Sequence, residues 1–432
     1  MSVHSMCLVF LNIFLCGFLH VESSNKVLVI SMDGFRWDYI QKANTPNFDD
    51  FAAKGTRAKY INNTFITKTF PCHYSIATGL FEESHGIIAN SMYDPVTQKH
   101  FTMSSKESFW WDGGEPLWAT VQRSDLRSAV YYWPGSEAEI RGLRPNIYFP
   151  YNESVNFYSR VDTVVQWLAN DSYNIDFAML YFHEPDHTGH MYGPDSTEVL
   201  TKVEEMDAIL GYIVESFTNA SLWANVNVLV TSDHGMTEIS HDKTIDLLAY
   251  VDNAAMEQVP SMGPVANIRV ADGMLEEVIA NLSSAPHLKV YRREEVPEFW
   301  YYKNNERILD IVAVADEHWS IIMNASAYTY NGKGGHGYDN RLMSMKPIFY
   351  ARGPDIRSGY ETRPFNSVDI YPTVCRLLGA RPAPNNGTIE HTSDFVTLPV
   401  SQAASVRSQT VLSVSLIYVS MAIFCVQEVL RI

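Results

Sequence analysis

Short apolar runs alternate with amphipathic segments along most of this 432-residue sequence. The apolar runs are residues 26–33, 128–133, 176–182, 225–233 and 347–354. Runs of this length without polar alternation are typical of strands that are buried on both faces of a parallel sheet. The sequence therefore predicts an α/β fold with a mostly parallel central sheet, in which functional groups gather at the carboxyl ends of the strands.

The spacing of apolar residues between these runs predicts helices that flank the sheet. They are expected over residues 45–55, 154–170, 196–217 and 367–379. In the first of them Thr45 is the expected cap, Pro46 lies in the first turn and Gly55 is the stop. Residues 256–319 are less regular, and we expect them to form a smaller cap or insertion.

The composition limits the classes of partner. A hydrophobic content of 46% is that of a folded domain with a large core, and the net charge of −17 makes a nucleic-acid duplex an unsuitable partner. A small anionic substrate would then need a local positive centre, which metal ions can provide.

The two ends of the chain differ from the rest. Residues 6–19 form an apolar run followed by small residues, so residues 1–23 are interpreted as a secretory signal peptide. Residues 24–400 are expected to form the catalytic domain. Residues 401–432 are interpreted as a spacer and a hydrophobic segment that anchors the protein in the membrane, as a single-pass helix or as a glycosylphosphatidylinositol signal.

Glycosylation signals and cysteine usage support the secretory route. Two of the five cysteines, Cys72 and Cys375, fall in the expected domain, so the chain is no disulfide scaffold, and spacing does not decide whether they pair. We expect the domain at the cell surface. Seven sequons for asparagine glycosylation occur, at Asn62, Asn152, Asn170, Asn219, Asn281, Asn324 and Asn386.

A hydroxyl at the predicted start of a helix is the candidate nucleophile. In ITKTFPCHYSIATG, residues 66–79, Thr69 stands before Phe70 and Pro71, and a proline in the first turn indicates a helix start. Unsatisfied amides there suit a phosphoryl group and favour an alkoxide. The alternative is that Thr69 is only an N-cap. Asn90, in a loop further on, could donate a hydrogen bond to a developing oxyanion.

Acidic and histidine residues follow the predicted strands. Asp33 ends the first run, and Asp233 and His234 follow a later one in the motif SDHGM, where Gly235 allows a tight turn. His336 lies between glycines in GKGGHGYDN, which permits close approach of the backbone. These residues are candidate metal ligands.

The segment HEPDHTGH, residues 183–190, holds a further cluster. Asp186 and His190 are four residues apart, so on a helical turn they face the same way. His183 and His187 have the same spacing, and spacing alone does not distinguish the two pairs. The clusters together offer oxygen and nitrogen donors, without a thiolate, for two ions such as zinc. Two such ions can clamp the attacking and leaving oxygens of a phosphoryl displacement, with Thr69 as the nucleophile.

The motifs SMDGFRWDY, TKTFPCHYSIATGL, ESHGIIAN, EPDHTGH, SDHGM and GGHGYDN resemble, in order and spacing, those of the ectonucleotide pyrophosphatase/phosphodiesterase family, within the alkaline phosphatase superfamily. The resemblance covers residues 27–386. It implies an alkaline phosphatase-like fold, two zinc ions and a nucleotidylated threonine at Thr69. One zinc would be held by Asp33, Thr69, Asp233 and His234, and the other by Asp186, His190 and His336.

The resemblance also implies a substrate site. Asn90 would help to hold the phosphate oxygens, and Phe70 and Tyr151 would stack on the nucleobase. This sequence departs from the family at Cys72, where Asn is common, and at Ser108, where some nucleotide-hydrolysing members carry a lysine, although Lys106 is close. We therefore expect altered bonding behind the nucleophile and weaker affinity for a polyphosphate tail.

Three functions are compatible with these residues. The first is a zinc-dependent ecto-enzyme that cleaves ATP, ADP, NAD or dinucleoside polyphosphates and releases a 5′-nucleotide. The second is a choline-phosphodiester or lysophospholipid hydrolase, in which Phe70 and Tyr151 enclose a quaternary ammonium. The third is a cell-surface adhesion or receptor domain on an inactive enzyme scaffold, for which Cys72 is the only indication.

Overall fold

The computed structural model describes residues 25–398. The expected signal peptide and membrane-anchoring segment lie outside the described residues, and they stay predictions. Within residues 25–398 no helix combines the length and the apolar character needed to cross a membrane.

A large sheet, a smaller one and the helices around them make up most of the described chain. The strands of these two sheets, in chain order, are β1 (Lys26–Met32), β2 (Thr56–Ala58), β3 (Ser128–Tyr131), β4 (Ile147–Phe149), β5 (Phe177–Phe182), β6 (Val226–Thr231), β7 (Met256–Ser261), β8 (Val265–Val270), β9 (Leu288–Arg292), β10 (Ile311–Ala315), β11 (Phe349–Arg352) and β12 (Tyr360–Thr362). The helices are α1 (Pro46–Ala53), α2 (Thr69–Thr78), α3 (Glu82–His85), α4 (Ser108–Trp111), α5 (Leu117–Arg123), α6 (Phe157–Ala169), α7 (Asp186–Tyr192), α8 (Thr197–Asn219), α9 (Leu275–Leu282) and α10 (Ile370–Leu378).

The first sheet has eight strands in the order β12-β2-β11-β6-β1-β5-β3-β4. Strand β11 pairs antiparallel with β6 and β2, and the other neighbouring pairs are parallel. The predicted mostly parallel sheet is confirmed. Strand β1 lies at its centre, with Ser31 opposite both Tyr181 of β5 and Thr231 of β6, so these three strands end at the same edge.

The pleat of β1 divides the core into two layers. Val27 and Val29 pack in one hydrophobic cluster with residues of α2 and α10, whereas Leu28 and Ile30 pack in another with residues of α6 and α8. Successive strand residues point to opposite faces of a sheet, so an unbroken apolar run requires cover on both faces.

The second sheet lies within residues 256–319, where the sequence looked irregular. Its four strands are antiparallel in the order β7-β8-β10-β9, and α9 packs with them in a separate hydrophobic cluster. The sequence analysis missed this regularity because β7 (MEQVPS) and β9 (LKVYR) carry charged and polar residues on their exposed faces. The expected cap or insertion is thus an ordered small sheet.

Helix α1 begins and ends where the sequence predicts, but Thr45 and Gly55 do not have the expected capping roles. Thr45 occupies the N-cap position, yet its hydroxyl donates to the carbonyl of Ile40 (3.4 Å) and forms no capping bond. At Gly55 a Cβ would lie 2.1 Å from the carbonyl oxygen of Ala351 in β11. Close approach of two backbones therefore requires glycine at this position.

Aromatic residues after β9 join the small sheet to the rest of the domain. Trp300 stacks on Phe65 with ring centroids 4.3 Å apart. The buried Tyr302 hydroxyl donates to the carbonyl of Ile88 (2.8 Å) and accepts from the side chain of Asn267 in β8 (3.0 Å).

We predict that Tyr302→Phe lowers the free energy of unfolding by about 1–3 kcal/mol, because it leaves a buried amide donor and a buried carbonyl without their partner. Urea denaturation followed by circular dichroism measures the change. Tyr301→Phe is the matched control, since that neighbouring ring is 47% exposed. An equal effect of the two substitutions would contradict the role of the hydroxyl.

Candidate active site

The candidate metal ligands lie at the carboxyl edge of the large sheet. Asp33 follows β1 directly, and Asp233 and His234 follow β6, its parallel neighbour, after one residue. Asp186 begins α7, which comes after β5, the neighbour of β1 on the other side. Parallel neighbours end at one edge, and therefore residues far apart in sequence meet there.

Asp33, Asp233 and His234 form one group of possible ligands, and all three are buried. Nε2 of His234 lies 3.0 Å from Oδ2 of Asp233 and 3.5 Å from Oδ1 of Asp33. Oγ1 of Thr69 lies 3.4 Å from the same nitrogen. The structure thus brings the candidate nucleophile to this group.

Asp186, His190 and His336 form a second group. Nε2 of His336 lies 3.1 Å from Nε2 of His190, and the two carboxylate oxygens of Asp186 lie 3.4 and 3.6 Å from these nitrogens. His183 and His187, the alternative pair by spacing, contact each other edge-on and belong to neither group.

The two groups adjoin each other. The imidazole rings of His234 and His336, one from each group, stack with their centroids 3.5 Å apart and an interplanar angle of 17°. All the sequence-predicted ligands therefore converge on one place.

Hydrogen bonds orient the three imidazoles of the site in the same way. Each Nδ1 faces a backbone carbonyl, which can only accept, so Nδ1 carries the proton and Nε2 of the neutral ring keeps a lone pair. The lone pairs point at the carboxylates and at one another. The bonds run from His190 to Gly334, from His234 to Gly235 and from His336 to Thr67, over 2.8–2.9 Å.

Three buried carboxylate oxygens accept no aligned hydrogen bond. They are Oδ1 of Asp33, Oδ1 of Asp186 and Oδ2 of Asp233. Buried carboxylates are normally hydrogen-bonded or bound to a cation. The six side chains of the two groups thus direct carboxylate oxygens and imidazole nitrogens at a common region, and this donor set fits metal ions. Carboxylates and imidazoles without a thiolate suit zinc and similar borderline ions.

The pKa values of these groups also favour a bound metal ion. Burial and the nearby charge of Asp233 hold the pKa of Asp33 well above its ordinary value. Burial also disfavours the charged form of Asp233, but His234 and His73 outweigh it, and the pKa of Asp233 lies well below its ordinary value. Burial and the charge of His234 lower the pKa of His336. Positive charge supplied by a metal would let both aspartates ionise.

Thr69 is the first residue of α2, and the N-cap position belongs to Lys68. The alternative that Thr69 is only an N-cap is therefore wrong. Its hydroxyl oxygen lies 3.4 Å from Nε2 of His234, within the first group of candidate ligands.

The amides at the start of α2 are largely engaged, contrary to the expectation that they remain free for a phosphoryl group. The N–H of Phe70 donates to Oδ1 of Asn90 (2.9 Å), Pro71 has no N–H, and the N–H of Cys72 donates to the carbonyl of Lys68 (3.0 Å). Because the carbonyl oxygen of Asn90 accepts from the backbone, its NH₂ group is left to donate to a substrate.

A cavity of about 610 Å³ opens beside the site, and we call it the Thr69 cavity. Its lining includes Thr69, Phe70, Asn90 and Tyr151, so the structure brings both predicted stacking aromatics to it. Lys106 also lines this cavity, where its ammonium forms a salt bridge with Glu137 (2.5 Å), whereas Ser108 lies in α4 and outside the lining.

Sequence reasoning missed two residues that support the ligands. The hydroxyl of Tyr181 in β5 donates to Oδ2 of Asp33 (2.6 Å). His73 donates from Nδ1 to the carbonyl of Thr69 (2.8 Å) and lies 3.3 Å from Oδ2 of Asp233. Tyr181 looked like an ordinary core aromatic in a strand. His73 could have been found, because it follows Thr69 by four residues and faces the same side of the helix.

Cys72, at which this sequence departs from the family, lies in α2 three residues after Thr69. The thiol is buried and faces the carbonyls of Ile66 (3.5 Å) and Thr64 (3.8 Å), and it does not line the Thr69 cavity. Cys72 and Cys375 are both free, which settles the question of their pairing.

Comparisons with known proteins agree with this geometry. Residues 27–339 match the family described as type I phosphodiesterase / nucleotide pyrophosphatase. The human protein bis(5′-adenosyl)-triphosphatase ENPP4 is 43% identical over 382 residues, which are 87% of this chain and 83% of that protein. Human ectonucleotide pyrophosphatase/phosphodiesterase family member 5 is 41% identical over 391 residues, or 90% of this chain and 81% of that protein.

Solved structures match as well. Murine ectonucleotide pyrophosphatase/phosphodiesterase 5, in an inactive threonine-to-alanine variant in complex with AMP, matches with a TM-score of 0.83 and 42% identity, over 86% of this chain and 100% of that one. The predicted alkaline phosphatase-like α/β fold and the predicted enzyme class are confirmed by these matches. The chain belongs to the type I phosphodiesterase / nucleotide pyrophosphatase family.

Proposed function

We propose that this protein is a zinc-dependent nucleotide pyrophosphatase/phosphodiesterase, which cleaves phosphodiester or pyrophosphate bonds of nucleotides and releases a 5′-nucleotide. The observation that carries the proposal is the convergence of six lone-pair donors beside the Thr69 hydroxyl. Candidate substrates are ATP, ADP, NAD and dinucleoside polyphosphates.

Two zinc ions are the proposed cofactors. Asp33, Thr69, Asp233 and His234 would hold one, and Asp186, His190 and His336 would hold the other. Bound there, the ions would supply positive charge to the phosphate oxygens and favour ionisation of the Thr69 hydroxyl.

The chain's own residues account for binding and for the covalent step. Oγ1 of Thr69 forms a bond to the phosphorus while the bond between phosphorus and the leaving oxygen breaks, so the nucleotidyl group is carried on Thr69. Water then breaks the bond between Thr69 and phosphorus and releases the 5′-nucleotide. The NH₂ group of Asn90 donates to a phosphate oxygen, and Phe70 and Tyr151 stack on the base.

Two relatives support this proposal. One is named bis(5′-adenosyl)-triphosphatase, which is an activity on a dinucleoside polyphosphate. The other is a structure in which an inactive threonine-to-alanine variant is in complex with AMP, as a threonine nucleophile and a 5′-nucleotide product would lead one to expect.

We further propose that the enzyme acts at the cell surface, attached by its C-terminal segment. Five of the seven sequon asparagines are exposed, and the other two are half-buried. The amide oxygen of Asn62, one of the half-buried pair, accepts from Nζ of Lys346 (2.8 Å), so the exposed sequons are the better candidates for glycans.

We predict that Thr69→Ala reduces hydrolysis to less than about 1% of the wild-type rate, because no other side chain replaces the nucleophile. Steady-state release of AMP from ATP by zinc-loaded protein measures the rate. Thr97→Ala, which removes an exposed hydroxyl, is the matched control. Residual activity of several percent in a folded Thr69→Ala protein would indicate a different nucleophile.

A substrate panel distinguishes the candidate functions. Zinc-loaded protein is expected to release a 5′-nucleotide from p-nitrophenyl thymidine monophosphate, ATP, NAD and diadenosine triphosphate, because the stacking aromatics tolerate different bases. Product analysis by chromatography gives the result. Turnover of glycerophosphocholine alone would identify the choline-phosphodiester hydrolase, and a complete lack of turnover would identify the inactive scaffold.

Metal removal should affect stability as well as activity. We expect purified protein to contain two zinc ions per chain by mass spectrometry, and chelation followed by desalting to abolish hydrolysis. The melting temperature should fall by several degrees, because a metal that binds only the folded state stabilises it. Added zinc should restore both properties. Full activity or an unchanged melting temperature after complete removal would contradict the metal sites.

A further inference from the structure

Three tyrosines in mutual contact form part of the lining of the Thr69 cavity. They are Tyr132, Tyr151 and Tyr181, and we call them the tyrosine wall. The ring of Tyr151 meets that of Tyr132 edge-on, with centroids 5.3 Å apart, and its centroid lies 6.2 Å from that of Tyr181. Tyr151 is 46% exposed, so burial alone does not fix its ring. Other contacts must hold this ring if it is to present a fixed face to a substrate.

Arg160 of α6 packs against the tyrosine wall without lining the cavity, and its side chain is fully buried. A buried cation is costly to desolvate unless its donors are satisfied. Within the described chain the guanidinium makes three hydrogen bonds of 3.0–3.1 Å, all to backbone carbonyls, those of Glu153, Val155 and Tyr181. Backbone carbonyls therefore surround this charge in the place where a carboxylate would be the usual partner.

Two of these carbonyls belong to the segment that carries Tyr151. Residues 150–156 join β4 to α6 and contain no helix or strand, and we call them the Tyr151 loop. The third carbonyl lies in β5, which is held independently by its pairing with β1. Arg160 thus ties the loop to a fixed strand. Loss of the guanidinium should affect the loop more than the strand.

The guanidinium also contacts the tyrosine wall through an aromatic ring. Its Cζ lies 5.0 Å from the ring centroid of Tyr132 and 4.7 Å from that of Phe157. Such cation–π contacts are stronger where water is excluded. Because Tyr132 contacts Tyr151 directly, Arg160 constrains Tyr151 in two ways, through the backbone of its loop and through a neighbouring ring.

We propose that Arg160 is a positioning residue that holds Tyr151 as a preformed stacking face for the nucleobase. The inference rests on the proposed function and deepens it, because it names what orders the base side of the site. A ring that is ordered before binding reduces the entropy lost when the base stacks on it. Arg160 should therefore matter for substrates that carry a base and have little effect on substrates without one.

The first test compares two substrates in one variant. Arg160→Lys keeps the charge but loses the planar fork that reaches three carbonyls. We expect KM for p-nitrophenyl thymidine monophosphate to rise roughly 10-fold with kcat within about 2-fold, because the stacking contact is the same in the ground state and the transition state. For methyl p-nitrophenyl phosphate, which has no base, kcat/KM should change by less than about 2-fold. Arg57→Lys, at an exposed arginine of β2, is the matched control.

A double-mutant cycle separates positioning from a general structural effect. If Arg160 acts through Tyr151, Arg160→Lys should change KM by less than about 2-fold in Tyr151→Ala protein. The same rise in KM in both backgrounds, equal losses on both substrates, or no loss on either would overturn the proposal. If Arg160→Lys does not fold, Phe157→Leu, which removes one ring from the guanidinium, should give the same selective rise in KM by about 3-fold. Absence of that rise would also overturn it.

A binding measurement distinguishes failure of this inference from failure of the proposed function. In Thr69→Ala protein, calorimetry should show that Arg160→Lys weakens AMP binding by about 10-fold. Zinc content measured by mass spectrometry should not change, and loss of zinc would overturn the inference by showing that Arg160 acts on the metal groups. If wild-type protein hydrolyses no nucleotide, the proposed function fails. Unchanged AMP affinity would instead show that Arg160 does not hold a base-binding face.

Discussion

Mutual repulsion among buried carboxylates at the carboxyl edge of the large sheet is the constraint on which the rest of the site depends. Three aspartates and the lone pairs of three imidazoles face a common region. Backbone carbonyls fix the imidazoles in that orientation through their Nδ1 atoms. Burial and the neighbouring carboxylates disfavour the charged form of Asp33, whereas His234 and His73 stabilise the charge of Asp233. Cations bound at this edge would stabilise all three carboxylates.

The fold positions this centre through strand order. Because β1, β5 and β6 are parallel neighbours in register, residues that follow them meet at one edge. Helix α2 then places Thr69 against His234, and the loop that carries His336 closes the remaining side.

The sequence was sufficient to predict the large sheet and the candidate ligands, because buried parallel strands are apolar and their ends carry the functional groups. Asp33 and Asp233 could be identified in this way from local pattern alone. The small sheet was missed, since β7 and β9 carry polar residues that mask their strand character. The contact between Tyr181 and Asp33 depends on strand pairing, and the hydrogen bond from the Phe70 amide to Asn90 depends on a loop further along the chain. Neither has a local signal.

Anomalous diffraction at the zinc absorption edge, from crystals of the purified protein, tests the central claim most directly. The account predicts two peaks, one within bonding distance of Asp33, Asp233 and His234 and the other within bonding distance of Asp186, His190 and His336. A single peak elsewhere in the molecule, or none at full zinc saturation, would contradict it.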